Sequence, residues 1–217
     1  MDQVIISVEG NISSGKSTFL NVIKEYNPQF NVVPEPLHEW QNVTAPNCGS
    51  YNLFNLMSMD LQKYSFPFQM ITLNSHIKML SNAKRFGGVS ILERSYHTNL
   101  NVFTKIACDK GYINDLEWTV YNVYMNDYII KPFGKKAISG IVYVDTKPEV
   151  CYERLRRRGR TEEKGVDLDY LKLIDEYHKK WILSERPNIL IIDNNLDKLS
   201  SQDYKEDMMK LKAFIGK

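Results

Sequence analysis

The sequence predicts an α/β protein in which a five-stranded parallel sheet is covered by helices on both faces. Short, almost purely apolar runs bounded by turn or cap residues recur along the chain, as strands buried on both sides require. The stretches between them have helical rather than alternating period. A chain of 217 residues, 43% hydrophobic, is long enough for one substantial core and short for two, so a single domain over 1–217 is expected.

The first strand is Val4–Val8, followed by a glycine-rich loop and the helical spacing of Phe19, Leu20, Val22 and Ile23. Asn31–Val33 reads as the second strand and Val89–Leu92 as the third. The connection between them is the longest in the chain and suggests a substrate-binding helical insertion rather than a plain return. Ile141–Val144 is the fourth strand. Behind it, Thr146-Lys147-Pro148-Glu149 combines a Thr-x-x-Glu capping box with an early proline, which predicts a helix carrying Tyr152 to Arg158. Leu168, Leu171, Ile174, His178 and Trp181 would line one face of a further helix, closed by Arg186-Pro187 ahead of the fifth strand, Ile189–Ile192. The Asn47-Cys48-Gly49-Ser50 and Phe86-Gly87-Gly88 stretches read as loops within the domain. In such a sheet, ligands sit at the carboxyl ends of the strands.

Composition narrows the function. Lys and Arg number 28 against 26 Asp and Glu, a net +2 that is too small a surplus for a nucleic-acid partner. Six basic residues nevertheless fall between Arg154 and Lys164, enough to grip a small polyphosphate. Cys48, Cys108 and Cys151 fit neither a disulfide framework nor a zinc spacing. With strand one beginning just after Met1-Asp2-Gln3 there is no room for a leader, and no apolar run approaches a membrane span, so a soluble, cytoplasmic setting is expected.

Gly10-Asn11-Ile12-Ser13-Ser14-Gly15-Lys16-Ser17 matches the G-x-x-x-x-G-K-[ST] pattern of a P-loop, between a strand and a helix as that motif requires. Its backbone N–H groups and the helix N-terminus would cradle phosphates, with Lys16 reaching the β- and γ-phosphates of ATP and Ser17 ligating Mg²⁺. A P-loop alone names no reaction. At the other strand ends stand Glu35, Glu93-Arg94 and the arginine segment, each suited to phosphoryl transfer onto a small acceptor. Local sequence leaves Glu35 open between a catalytic base and a loop glutamate between two prolines.

The motifs stand in order as Gly10–Thr18, Glu35–Trp40 (E-P-L-H-E-W), Phe66–Gln69 (F-P-F-Q), Glu93–Ser95 (E-R-S) and Tyr152–Glu163 (Y-E-R-L-R-R-R-G-R-T-E-E). Together they resemble the deoxynucleoside kinase family, which includes deoxycytidine, deoxyguanosine and mitochondrial-type thymidine kinases. The resemblance implies a P-loop kinase that phosphorylates the 5′-hydroxyl of a deoxynucleoside, a homodimer, and a lid over about 154–165. It makes Glu35 the base, Arg94 its partner near the reacting groups, and Glu93 a carboxylate that helps hold Mg²⁺. It sets Trp40 and Gln69 against the base, brings Arg154, Arg158 and Arg160 onto the phosphates, and assigns Glu163 to the sugar 3′-hydroxyl.

Two departures stand out. The family's tyrosine, eleven residues before the F-P-F-Q glutamine, is replaced here by Ser58, a hydroxyl without a phenol's reach. His76 and Asn99 differ from the family's usual base-pocket pairs, Arg with Asp or Met with Ala. Read alone, they could equally be a helix-surface histidine and a turn or helix cap. As pocket residues they favour deoxycytidine or a purine deoxynucleoside over thymidine, with the Asn99 carbonyl free to accept an exocyclic amine. Competing readings are a thymidylate-like monophosphate kinase and a nucleotide-dependent switch; no guanine-selecting Asn-Lys-x-Asp run is present.

Overall fold

The computed structural model describes residues 3–44, 51–160, 163–184, 188–198 and 200–216. The elements follow as β1 (Val4–Glu9), α1 (Lys16–Tyr26), β2 (Asn31–Val33), α2 (Leu37–Gln41), α3 (Leu53–Met59), α4 (Leu61–Phe86) and β3 (Val89–Glu93). Next come α5 (Tyr96–Thr98), a π-helical turn (Asn99–Thr104), α6 (Lys105–Asp109), α7 (Asp115–Met125), a second π-helical turn (Asn126–Ile130) and α8 (Lys131–Phe133). The chain ends in β4 (Gly140–Asp145), α9 (Pro148–Arg158), α10 (Leu168–Ser184), β5 (Ile189–Asp193), a 3₁₀ turn (Ser201–Tyr204) and α11 (Lys205–Ile215).

All five strands are parallel, in the order β2-β3-β1-β4-β5. β1 lies between β3 and β4, so the winding reverses beside it and the crevice opens at the carboxyl end of β1, where the glycine-rich loop stands. Alternation along β1 divides the core. Ile6 and Val8 pack with Phe19, Leu20 and Ile23 of α1 and Met208 and Leu211 of α11. Ile5 faces the other way, onto Leu73, Leu80 and Ala83 of α4 and Tyr121 and Met125 of α7. Ile141 and Tyr143 of β4 meet Leu171, Ile174 and Trp181 of α10. Truncating a fully buried member such as Leu73 to alanine would cost about 2–5 kcal/mol.

Four of the five strands run one residue further toward the crevice than their apolar runs suggest, ending on Glu9, Glu93, Asp145 and Asp193. Ladder pairing continues there, for example Val8 with Glu93, because the strand ends open onto a polar cavity rather than a hydrophobic layer. The long β2–β3 connection is indeed helical, built from α2, α3 and α4. Gly87 closes α4 at φ +69, in the expected loop. The expected helical face holds at Leu171, Ile174, His178 and Trp181, which are buried. Asn47–Ser50 and Arg186-Pro187 lie outside the described residues.

One local expectation is corrected. Thr146 is not a capping-box residue: α9 starts at Pro148 with Lys147 as a cap that makes no side-chain bond. The Thr146 hydroxyl instead donates to the Ser14 carbonyl at 3.0 Å, bracing the glycine-rich loop. A buried loop carbonyl outcompetes a helix end whose first N–H proline has already removed.

Candidate active site

Backbone conformation explains the loop's glycines. Gly10 sits at φ +147 and Gly15 at φ +95. A Cβ on Gly10 would lie 2.7 Å from the Val144 carbonyl, and one on Gly15 2.3 Å from Asn194 Nδ2, so no side chain fits at either position. Gly15 caps α1 without a side-chain bond, which leaves the helix's first N–H groups turned into the loop as an anion cradle. Lys16 donates to the carbonyls of Asn11 at 2.7 Å and Gly10 at 3.2 Å. Burial, helped by the neighbouring Arg94 charge and opposed by Glu93 and Glu35, lowers its pKa to about 8.

Glu93, at the end of β3, joins the loop to the second strand. Its Oε1 accepts from the Ser17 hydroxyl at 2.7 Å and its Oε2 from the Glu35 N–H at 3.3 Å. Arg94 follows at φ +62, a left-handed conformation costing about 1–3 kcal/mol for a side-chain residue. Its N–H donates to the Val8 carbonyl at 3.0 Å and its Nη1 to the Gly10 carbonyl at 3.1 Å. Its Nε pairs with Glu35 Oε1 at 3.0 Å, with the two side chains 6% and 17% exposed. The guanidinium also lies 5.0 Å from the centre of the Phe103 ring. Burial raises the Glu35 pKa above the ordinary carboxylate value; Arg94 opposes the rise and Glu93 adds to it. Underneath, fully buried Glu9 accepts from the hydroxyls of Ser95 and Thr98 and ties β1 to this turn.

A cavity of about 1180 Å³ opens in front of these groups. Trp40 stands in its wall, edge-on to Phe54 and Phe68, with its indole N–H donating to Ser75 Oγ at 3.1 Å. Gln69 and His76 project from α4, and Asn99 opens the π-helical turn, an irregularity frequent at functional sites. His76 and Asn99 are 4% and 2% exposed, so neither is a surface residue. Burial holds the imidazole neutral, with a pKa of about 3. The Asn99 carbonyl is not free for a base amine: it accepts from the Tyr121 hydroxyl, while Nδ2 donates to Gln69 Oε1 at 2.7 Å. Ser58 lines the same cavity, but its hydroxyl turns back to the Asn55 carbonyl at 2.7 Å.

The arginine segment closes the opposite side. α9 ends at Arg158, with Gly159 in the left-handed conformation. Arg158 Nη2 contacts both Glu163 oxygens at 2.6 Å, and Arg160 lies 3.6 Å from the same carboxylate. Arg154 turns to Asp197, pairing at 3.0 Å. Thr161 and Glu162 lie outside the described residues. Ile12, Ser13, Gly15, Lys16, Ser17, Thr18, Glu35, Trp40, Ser58, Gln69, His76, Glu93, Arg94, Asn99, Arg154, Arg158, Arg160 and Glu163 all line this one cavity. Gly10, Asn11 and Ser14 do not; they hold the loop from behind, Asn11 by donating to the Leu171 carbonyl at 2.8 Å.

A family model described as deoxynucleoside kinase matches residues 6–215, almost the whole chain. The chain belongs to the deoxynucleoside kinase family. It is a phosphotransferase that moves phosphate from ATP to a deoxynucleoside, a salvage reaction. Among similar proteins, a mitochondrial deoxyguanosine kinase of Xenopus laevis is 34% identical over 199 residues, 85% of this chain and 75% of its own. A probable deoxycytidine kinase of fowlpox virus is 37% identical over 179 residues, 82% of this chain and 71% of its own. The deoxycytidine kinase of Homo sapiens is 30% identical over 240 residues, 97% of this chain and 90% of its own.

Several cavity residues of this kinase escape a reading of its motifs. Asn194 donates to the Ser14 carbonyl at 2.7 Å, and Asp197 holds both Arg154 and Arg157. Both follow β5, so the rule that ligands gather at strand ends points to the stretch Asp193-Asn194-Asn195-Leu196-Asp197, polar at all but Leu196. Thr72, which lines the cavity, and Tyr121, fully buried behind it, surround the Gln69–Asn99 pair and carry no local signal.

Proposed function

We propose that this enzyme phosphorylates the 5′-hydroxyl of deoxycytidine or a purine deoxynucleoside in preference to thymidine. The observation that carries the chemistry is the Glu35–Arg94 pair, at 3.0 Å, with Arg94 buried and Glu35 partly buried, facing the cavity beside the phosphate loop. An ionised Glu35 accepts the proton of the attacking hydroxyl, and Arg94, held by the Gly10 carbonyl, keeps that carboxylate oriented. Lys16 and the loop N–H groups hold the donor phosphates in line. Arg158 and Arg160, which share Glu163, are the lid groups that take up charge on the transferring phosphoryl, and Arg154 steadies the donor side. Glu163 is assigned to the sugar 3′-hydroxyl, with Ser58 nearby as a shorter-reaching wall residue.

The Ser17 hydroxyl and Glu93 carboxylate fit Mg²⁺: they are hard oxygens 2.7 Å apart at the loop mouth, and that ion completes its shell with phosphate oxygens and water. When bound, the ion neutralises phosphate charge. The neutral, polar His76 supports the base preference, since a 5-methyl group seated against its ring would offer that polar surface no hydrogen bond. The whole chain acts as one domain with a lid over about 154–165. Leu116, Val120 and Val123, 73%, 45% and 56% exposed along α7, support a homodimer packed on that helix. The cytoplasm is the proposed compartment, consistent with free Cys108 and Cys151; no described helix is long and apolar enough to cross a membrane.

The test is kcat/KM for deoxycytidine, deoxyadenosine, deoxyguanosine and thymidine, for the wild type and for His76→Met combined with Asn99→Ala. Deoxycytidine or a purine nucleoside should lead in the wild type, with the double variant shifting toward thymidine by about 5–100-fold. Thymidine as the best wild-type substrate overturns the preference.

A further inference from the structure

The contacts around the Gln69 side chain obey a closed donor and acceptor logic. The Thr72 hydroxyl has a single proton, and both acceptors it faces belong to Gln69: the backbone carbonyl one helical turn back at 2.9 Å, which takes the proton, and the more distant Oε1 at 3.5 Å. Its oxygen can therefore only accept from Asn99, 2.6 Å away, which puts the amide nitrogen of Asn99 on that side. The second N–H of the same nitrogen reaches Gln69 at 2.7 Å, so the atom it meets must be Oε1. The Thr104 hydroxyl approaches that oxygen too, at 3.4 Å. At its far end Asn99 is pinned by the Tyr121 hydroxyl, which donates to Oδ1. The reverse arrangement, with Gln69 Nε2 donating to Asn99, would require Thr72 to give its proton to Asn99 and abandon the Gln69 carbonyl. In a buried network that lost bond is not recovered from water.

Nε2 of Gln69 has no protein partner among the described residues, is not sealed among protein atoms, and belongs to a residue that lines the cavity. We propose that Asn99 and Tyr121 are positioning residues that lock the Gln69 amide with its NH₂ group toward the base. The site then reads a hydrogen-bond acceptor on the base edge, an unprotonated ring nitrogen or a carbonyl, and draws little from an exocyclic amine. This rests on the nucleoside reading above and sharpens it. An unlocked glutamine could rotate to suit either edge pattern; a locked one cannot.

The experiment measures kcat/KM at saturating ATP for whichever of deoxycytidine and deoxyadenosine is turned over faster, and for two analogues of it. One carries C–H in place of the Watson–Crick ring nitrogen (3-deaza or 1-deaza); the other lacks the exocyclic amine. Wild type, Asn99→Asp and Tyr121→Phe are compared, with thermal melts in the presence of ATP to establish that each is folded. In the wild type the deaza analogue should lose about 10–100-fold, because it leaves the amide N–H unpaired, and the deamino analogue less than about threefold. The carboxylate introduced by Asn99→Asp is acceptor-only, so the Gln69 amide turns round and the ratio between the two analogues should fall at least about tenfold. Tyr121→Phe, which frees one end of Asn99, should lower the ratio in the same direction. A merely structural role would slow all three nucleosides alike. A wild type that suffers more from losing the amine than the ring nitrogen, or variants that leave the ratio unchanged, would overturn the lock while leaving the kinase reading intact. Absence of acceptor-dependent turnover with every nucleoside overturns both.

Discussion

Replacing Glu35 by Gln tests the chemistry with little disturbance of shape. The carboxamide keeps an oxygen that can accept from Arg94 Nε, now at 3.0 Å, so the geometry of the Glu93–Arg94 turn should persist. What disappears is the charge and the capacity to take a proton. Loss of general-base assistance lowers kcat by about 10²–10⁴-fold, or about 3–5 kcal/mol of barrier. Breaking a buried ion pair outright costs about 3–5 kcal/mol of stability. Here Arg94 retains the Gly10 carbonyl, the Phe103 face and the amide oxygen, so we expect about 1–2 kcal/mol, a fall in Tm of about 2–8 °C. Initial rates of ADP release give kcat, and calorimetric titration with a non-hydrolysable ATP analogue present gives the nucleoside Kd. The expected pattern is a collapse of kcat with Kd changed less than about fivefold. A kcat within about tenfold of wild type together with a much weakened Kd would make Glu35 a binding group and refute the assignment.

Lys16→Ala should abolish nearly all transfer while circular dichroism and melting stay close to wild type, since among the described residues its amine donates to two loop carbonyls; turnover within about tenfold, ~1.4 kcal/mol, would contradict this. Because the Lys16 pKa is lowered to about 8, its ammonium is lost as pH rises through that value, and KM for ATP should climb above pH about 8. Lys16→Arg, which stays charged, should show no such climb, and a wild-type KM flat up to pH about 9.5 would argue against the charge. The raised Glu35 pKa has the opposite sense: the base works only when ionised, so kcat should fall with acidification from above the ordinary carboxylate range, and that limb should vanish in Glu35→Gln. Arg158→Ala and Arg160→Ala should each lower kcat by more than about tenfold with comparatively little change in nucleoside Kd; an unchanged kcat in both would return the segment to a solvated helix end.

The sheet was legible because each strand is buried on both faces and so writes itself as an apolar run, and the phosphate loop because its spacing and flanks are specific. Strand ends were not, since Glu9 and Glu93 continue the ladder with side chains that no hydrophobic pattern flags. Ordered motifs brought Glu35, Trp40, Gln69 and Arg94 to one cavity, but the meaning of Asn99 depends on Tyr121, 22 positions away and joined to it only by folding. Thr146 departs from its local pattern for a related reason: a capping-box sequence describes what a helix start can do, and the Ser14 carbonyl, 132 positions away, decides what the hydroxyl does. Among the clustered arginines, composition reveals the cluster, whereas their division between Asp197 and Glu163 depends on contacts made only by folding.

The central claim is that the phosphate acceptor is the 5′-hydroxyl of an unphosphorylated deoxynucleoside, aligned by Glu35 and Arg94. The most direct measurement is ADP release with deoxynucleosides and their 5′-monophosphates side by side, with the product resolved by phosphorus NMR. Turnover with nucleosides, yielding a single phosphomonoester resonance coupled to the 5′ protons and little turnover of the monophosphates, is the predicted result. Faster turnover of the monophosphates to diphosphates, or ADP release indifferent to any acceptor, would contradict it.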